Sequence, residues 1–274
     1  MIDIHCHLLP GLDDGAPDMG ISLAMARMAV EDGISALVCT PHITPGLYDN
    51  TGDAIRLAVE TLRRRLTAEG IKLRIEAGAD VHIAPELGRK LAARSIPTLA
   101  GSRYFLFEPP HHVVPPRLEQ VVRSLLAVGY VPVLTHPERL TWLEGHYDLI
   151  KRVSALGMPI QITAGSVLGA FGRQPRYWAE RMLDEGLVDF LASDAHNLDT
   201  RPPRLSAARD AVAARLGEDE AVAMTFSRPA AILADEALPP RAGPIISAPQ
   251  SYPMQQRLLQ WLRKFRGRGD VDAG

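Results

Sequence analysis

Along most of the chain a short apolar run gives way to a polar turn and then to a stretch of helical period, and the unit repeats. Strands alternating with helices predict a parallel sheet, because parallel neighbours need a crossover between them. The first strand begins at residues 2–5. Asp18 then caps a helix in which Ile21, Met25, Met28 and Ala29 recur at helical spacing. Residues 34–40 read as the second strand and 51–69 as a long amphipathic helix, whose Arg63, Arg64 and Arg65 form a solvated face. Further strands fall at 73–77, 104–107, 130–135, 158–163 and 188–192, with helical stretches such as 118–128 and 147–156 between them. Seven strands counted this way suggest an α/β fold, a closed or nearly closed β/α barrel. A doubly wound open sheet fits the same pattern.

Residues 153–172 carry no charge and invite comparison with a membrane span. Pro159, Gln161, Thr163, Ser166 and the glycines at 157, 165, 169 and 172 break the stretch into a short strand and a polar loop. The pattern changes again near Ala237. Residues 238–253 hold Pro239, Pro240, Pro244, Pro249 and Pro253, so a barrel domain over 1–236 is expected to be followed by a linker and tail over 237–274. In that tail Leu258, Trp261, Leu262 and Phe265 lie at i, i+3, i+4 and i+7, flanked by Arg257, Arg263, Lys264, Arg266 and Arg268. Such a short basic amphipathic helix is unstable alone in water. It must pack on its own barrel, on a second subunit of a homo-oligomer, or on an anionic membrane surface or a membrane-bound partner.

With 274 residues, 46% of them hydrophobic and 23% charged, the chain can bury a sizeable core, which excludes disorder and small disulfide scaffolds. Thirty Lys+Arg against thirty-two Asp+Glu leave a formal charge of −2, so no global field holds nucleic acid. Cys6 and Cys39 are the only cysteines, and Asp3, His5 and His7 stand where a signal peptide would be basic and then apolar. A reducing, cytoplasmic location is expected.

The chemistry concentrates at strand ends. His5-Cys6-His7 closes the first strand, and alternation points both imidazoles to one side, about 7 Å apart along the backbone, with Cys6 facing away. The second strand runs into Thr40-Pro41-His42, the third into Asp80, the fourth into Glu108, the fifth into His136-Pro137 and the last into Asp194-Ala195-His196, while Asp14 sits in the turn after the first. Singly each has an ordinary reading as a cap or a polar loop residue. Together they meet at the pole where a β/α barrel assembles its site, and mixed imidazole and carboxylate donors suit a catalytic cluster of manganese, iron or zinc. Several ions together suit phosphate-ester hydrolysis. Arg139 and Arg201 follow His136 and His196 closely and are either bidentate phosphate ligands or ordinary surface arginines.

The stretches Asp3-Ile4-His5-Cys6-His7 through Leu12-Asp13-Asp14-Gly15, Thr40-Pro41-His42, Ile96-Pro97-Thr98-Leu99, Ser102-Arg103-Tyr104, His136-Pro137-Glu138-Arg139 and Ala192-Ser193-Asp194-Ala195-His196-Asn197-Leu198, with Arg201-Pro202-Pro203 beyond, resemble the polymerase and histidinol phosphatase (PHP) superfamily. Within it they are similar to the bacterial tyrosine-protein phosphatases of capsule and exopolysaccharide operons, over residues 1–236. The resemblance implies a distorted seven-stranded barrel holding two or three divalent metals, usually manganese or iron. It also implies hydrolysis of phosphotyrosine on a membrane-associated, autophosphorylating tyrosine kinase that governs polysaccharide synthesis. Carried over by position, it makes His5, His7, Asp14, His42, Asp80, Glu108, His136, Asp194 and His196 metal ligands, with Arg139 and Arg201 clamping the phosphate. Asp80 stands where the family more often has Glu, and Ile43 where a basic or imidazole side chain is common.

Two rivals use a comparable scaffold: a PHP phosphatase for a small metabolite such as histidinol phosphate, and a non-catalytic module that binds the kinase. A thiol phosphatase is excluded. It needs Arg six residues after its cysteine, where this chain has Leu12 and Pro45.

Overall fold

A computed structural model of the chain describes residues 1–244. The amphipathic stripe from Leu258 to Phe265, with its basic flank, lies outside the described residues. The strands are β1 (Ile2–Cys6), β2 (Ala36–Cys39), β3 (His42–Ile43), β4 (Arg74–Ala77), β5 (Asp80–His82), β6 (Tyr104–Glu108), β7 (Val131–Thr135), β8 (Ile160–Thr163) and β9 (Phe190–Ala192). Every pairing between them is parallel, in the ladders β1-β2-β4 and β3-β5-β6-β7-β8-β9. Each of the seven expected strands has a counterpart, but two are broken. Pro41 has no N–H to donate and interrupts β2/β3. At Gly78, between β4 and β5, an added Cβ would sit 2.7 Å from Val38 Cγ1, so only glycine lets the strand bend there.

Main-chain bonds carry the ladders across these breaks, from Gly78 N to Cys39 O (2.9 Å) and from Asp80 N to Pro41 O (3.1 Å). On the other flank, Asp194 N donates to His5 O and His7 N to Ala195 O, both at 2.9 Å, which sets the end of β9 beside the end of β1. The register of β1 shifts between Asp3 and Cys6. Ile2 and Ile4 join a small apolar cluster with Val38, Leu106, Val133 and Phe190, whereas Cys6 packs in the large cluster under the helices. The shift turns the strand over, as a bulge does, and brings His5 and His7 to the side that Ile2 and Ile4 occupied below.

Helices cover the sheets where the sequence places them. Met19–Glu31 starts with Asp18 Oδ1 accepting from Ile21 N at 2.9 Å, and Gly52–Ala68 starts with Thr51 Oγ1 accepting from Ala54 N. The expected polar loop after β8 instead begins with a helical turn, Ala164–Val167. Its start is stabilised from outside, because the buried Glu138 carboxylate accepts from Thr163 N (2.9 Å) and Ser166 Oγ (2.7 Å). No helix among the described residues is long and apolar enough to cross a membrane.

Past the last described helix, Arg228–Leu233, the first prolines lie against the body. Arg228 is fully buried, forms a two-pronged pair with Glu220 and donates to the carbonyls of Pro239 and Pro240. Arg241 reaches Leu187 O at 2.7 Å and Ala242 N reaches Glu220 at 3.0 Å. Truncating Arg228 strands a buried carboxylate and two carbonyls. Arg228→Ala should therefore cost about 3–5 kcal/mol in urea denaturation; a loss under 1 kcal/mol would show that the pair is dispensable.

The seam between β1 and β9 contains a second buried acid. Asp3 accepts from Ser193 Oγ (2.5 Å), Ser193 N (3.1 Å) and His5 N (3.2 Å), yet burial outweighs these bonds and pushes its pKa up to about 6. The unfolded carboxyl titrates near 3.9, so between about pH 4 and 6 the native state keeps a proton that the unfolded chain releases. Stability must then fall as pH rises through that window, by roughly 3 kcal/mol from this group. In metal-free protein Asp3→Asn should remove that part of the slope, and parallel stability–pH curves for the two proteins would refute it.

Candidate metal centre

The ends of the strands and the turns just beyond them bring together the nine His, Asp and Glu residues that the sequence singled out. His5 and His7 present Nε2 atoms 3.2 Å apart. Their other nitrogens are pinned from behind: His5 Nδ1 is 2.9 Å from Gln161 Oε1, and His7 Nδ1 is 2.6 Å from Asp13 Oδ2. Such bonds fix ring orientation and leave Nε2 for an ion. Asp13 also accepts from His42 N at 2.9 Å and Gly15 N at 3.0 Å, so one carboxylate aligns both histidines. Gly15 makes this turn possible, because a Cβ there would fall 2.2 Å from His7 O.

Around the two imidazoles most of the other groups lie 3.4 Å or more away, long for good hydrogen bonds. His5 Nε2 is 3.2 Å from Asp194 Oδ1 and 3.5 Å from Asp80 Oδ2. His42 Nδ1 is 3.4 Å from Asp80 Oδ2 and 3.5 Å from Glu108 Oε2, and its Nε2 is 3.6 Å from the half-exposed Asp14. His196 Nε2 stands 3.4 Å from Asp14, and His136 Nε2 is 3.8 Å from Glu108 Oε1. Two ligands each about 2.1 Å from one ion lie about 3.0–3.4 Å apart at octahedral to tetrahedral angles. All nine residues fall in groups of three or four whose donor atoms lie within 4.8 Å of one another: His7, Asp14, His42, His196; His5, His7, Asp80; His5, His136, Asp194; and His42, Asp80, Glu108. A further group adds His111 to Glu108 and His136.

The donor set fits cations. Both oxygens of the fully buried Asp80, Nδ1 of His42 and Nε2 of His196 make no hydrogen bond among the described residues. Buried lone pairs left so are costly unless something positive occupies the space between them. Burial alone would raise the carboxyl groups, but the surrounding imidazoles hold Asp80 and Asp194 below the usual range. His7 is likewise disfavoured by burial, yet its bond to Asp13 and the nearby Asp194 carboxylate lift it to about 10. Desolvation depresses His136 and His196. Cations entering here would displace a proton from His7.

Both arginines turn toward the same acid. Arg201 Nη2 is 2.6 Å from Asp194 Oδ2, and Arg139 Nη1 bonds that same oxygen while its guanidinium lies 4.5 Å from the centre of the Phe171 ring. Asn197 Oδ1 accepts from Arg201 N at 3.0 Å and fixes the loop that carries it. Their side chains are 17% and 21% exposed, so each reaches from the buried acid to solvent. His136 and Asp194 both hold positive φ, 30° and 50°, a strained backbone for non-glycine residues that recurs at functional sites. Ile43 is buried in the core.

Sequence reasoning missed Asp13, Gln161, Glu138 and His111 as parts of the site. Gln161 and Glu138 did leave a signal, a polar residue inside an apolar strand and an acid beside Arg139. Asp13 is masked by its neighbour Asp14, and His111 by the irregular run Pro109-Pro110-His111-His112.

A family model described as "Capsular polysaccharide synthesis, CpsB/CapC" matches residues 1–234. The tyrosine-protein phosphatase YwqE of Bacillus subtilis (strain 168) is 41% identical over 201 residues, 73% of this chain and 79% of its own length. The tyrosine-protein phosphatase CpsB of Streptococcus pneumoniae is 30% identical over 243 residues, 86% of this chain and 99% of its own. A crystal structure from work on YwqE and CpsB, described as unique metal-dependent tyrosine phosphatases, superposes with a TM-score of 0.85 at 36% identity, covering 91% of this chain and 100% of the other.

Proposed function

The chain belongs to the CpsB/CapC family of capsular polysaccharide synthesis, and from that premise we propose that it is a metal-dependent protein-tyrosine phosphatase. Its substrate in this reading is phosphotyrosine on an autophosphorylating kinase of the polysaccharide export machinery, and its cofactor is two or three divalent ions, manganese first among them. The observation that carries the reading is the buried Asp80 carboxylate, which has no hydrogen bond at either oxygen and faces His5 and His42. That arrangement asks for cations where an exposed acidic cluster would not.

His5, His7, Asp14, His42, Asp80, Glu108, His136, Asp194 and His196 would hold the ions. When bound, these supply Lewis acidity toward a phosphoryl oxygen and toward water. The rest belongs to the protein. Arg139 and Arg201, released in part from Asp194, can each donate to phosphate oxygens at the mouth, and Asp13 and Gln161 keep the His7 and His5 rings aimed inward. Asp194 has one oxygen toward the imidazoles and one toward the arginines, so it ties phosphate recognition to the ion site.

Turnover of a phosphotyrosine peptide against histidinol phosphate, with metal content measured on the same preparation, tests the reading. Preference for the peptide by a metal-loaded protein supports it. Preference for histidinol phosphate would make the chain a metabolite phosphatase, and loaded protein without turnover a binding module. Arg139→Ala and Arg201→Ala should each lower kcat/KM about ten- to a hundredfold, the loss of one charge-assisted pair, and leave the ions bound. Metal content falling in step with activity would instead make the arginines supports of Asp194.

A further inference from the structure

Glu108 offers its two oxygens in different directions. Oε2 faces His42 at 3.5 Å, whereas Oε1 lies between His111 Nε2 at 3.4 Å and His136 Nε2 at 3.8 Å. A carboxylate placed so can serve two ions, one at each oxygen. We propose that His111 is a metal ligand in its own right, which with Glu108 and His136 completes a two-histidine, one-carboxylate site at the mouth of the centre. The inference rests on the metal-dependent reading above and extends it to a residue outside the strand-end set.

Three features carry it. The donor atoms of Glu108, His111 and His136 lie within 4.8 Å of one another, and the His111 and His136 rings are 5.3 Å apart. The contact of His111 with Glu108 is long for a hydrogen bond but matches the edge between two ligands of one ion. The loop that bears His111 is also fixed rather than free. Trp142 Nε1 donates to Pro110 O at 2.9 Å, and Thr141 donates to His111 O from both N and Oγ1 at 3.0 Å. A backbone held at three points delivers the imidazole to one place, the support that a ligand set needs.

The position also gives this site a distinct role. His111 is 32% exposed, against 2% and 9% for His136 and Glu108, so it is the outermost of the three. Two histidines and one carboxylate leave coordination positions open in catalytic sites. Here the open side faces solvent, where a phosphate monoester would arrive.

Metal-free protein titrated with Mn²⁺, free ion being followed by electron paramagnetic resonance, tests the assignment without recourse to activity. His111→Ala should bind one ion fewer than wild type, or bind its last ion at least about tenfold more weakly. His112→Ala, the exposed neighbour, should match wild type, and His111→Asp should recover part of the loss. Equal stoichiometry and affinity in His111→Ala and wild type would overturn the proposal. Wild type that takes up no Mn²⁺ would overturn the metal-dependent reading itself, a different outcome. Melting in chelator checks that the variants fold; should alanine fail there, His111→Gln is read in the same way.

Discussion

Chelation is expected to abolish phosphotyrosine hydrolysis, while replacing both Cys6 and Cys39 with alanine leaves most of it intact. The two cysteines are fully buried neighbours on β1 and β2, and burial pushes both thiols far above their ordinary value. A nucleophilic thiol needs the opposite setting, an exposed and electropositive one. The metal centre has the opposite dependence. Removing its cations leaves Asp80 with no hydrogen bond at either oxygen and concentrates buried imidazoles against carboxylates whose balance the ions set. The loss should therefore appear twice, in turnover and in melting temperature. An ion at a hundred times its Kd adds about 2.7 kcal/mol to native stability, several degrees in a domain of this size. Restoring Mn²⁺ should restore both. Turnover that survives chelation, or that disappears with the cysteines in a folded variant, would refute the metal-dependent mechanism.

Much of this candidate centre was legible because parallel strands joined by helices convert sequence order into position. Residues at strand ends meet whatever the distance between them in the chain, so His5, His42, Glu108 and His136 could be grouped from pattern alone. Two helix starts were readable, since Asp18 and Thr51 carry their caps in their own side chains, whereas the helix expected at 147–156 begins without a side-chain cap at Leu143. What escaped depends on contacts that no local pattern encodes. The turn at Ala164–Val167 starts where Glu138 arrives from another strand end. The breaks in β2/β3 and β4/β5 follow from one proline and one glycine packed against Val38. The stretch at 238–253 read as a linker from its prolines, yet the carbonyls of Pro239 and Pro240 are what the buried Arg228 bonds. His111 sits on a loop whose course is set by Thr141 and Trp142, about thirty residues on, and side-chain direction on such a loop has no period to read.

Asp194→Asn is expected to reduce kcat/KM by on the order of 10³-fold or more, about 4 kcal/mol of transition-state stabilisation, and more than either arginine truncation. Its carboxylate is 1% exposed and engaged on both sides: Oδ1 is 3.2 Å from His5 Nε2 and 3.4 Å from His7 Nε2, while Oδ2 takes Arg139 and Arg201. Burial opposes its charge, but these imidazoles and Arg201 keep it ionised well below neutral pH. An amide of the same shape keeps the backbone, because asparagine accepts the positive φ of 50°. It cannot keep the chemistry. The amide brings no charge to an ion, and whichever way it turns, either the imidazoles or the two guanidiniums face an N–H group. Metal content should therefore fall together with activity, which separates this variant from Arg139→Ala and Arg201→Ala, where the ions stay. Metal-free Asp194→Asn should melt somewhat below metal-free wild type, because Arg139, Arg201 and the imidazoles lose their shared counter-charge. A folded Asp194→Asn protein with full metal content and near-normal kcat/KM would remove Asp194 from the centre and the link between ions and arginines with it.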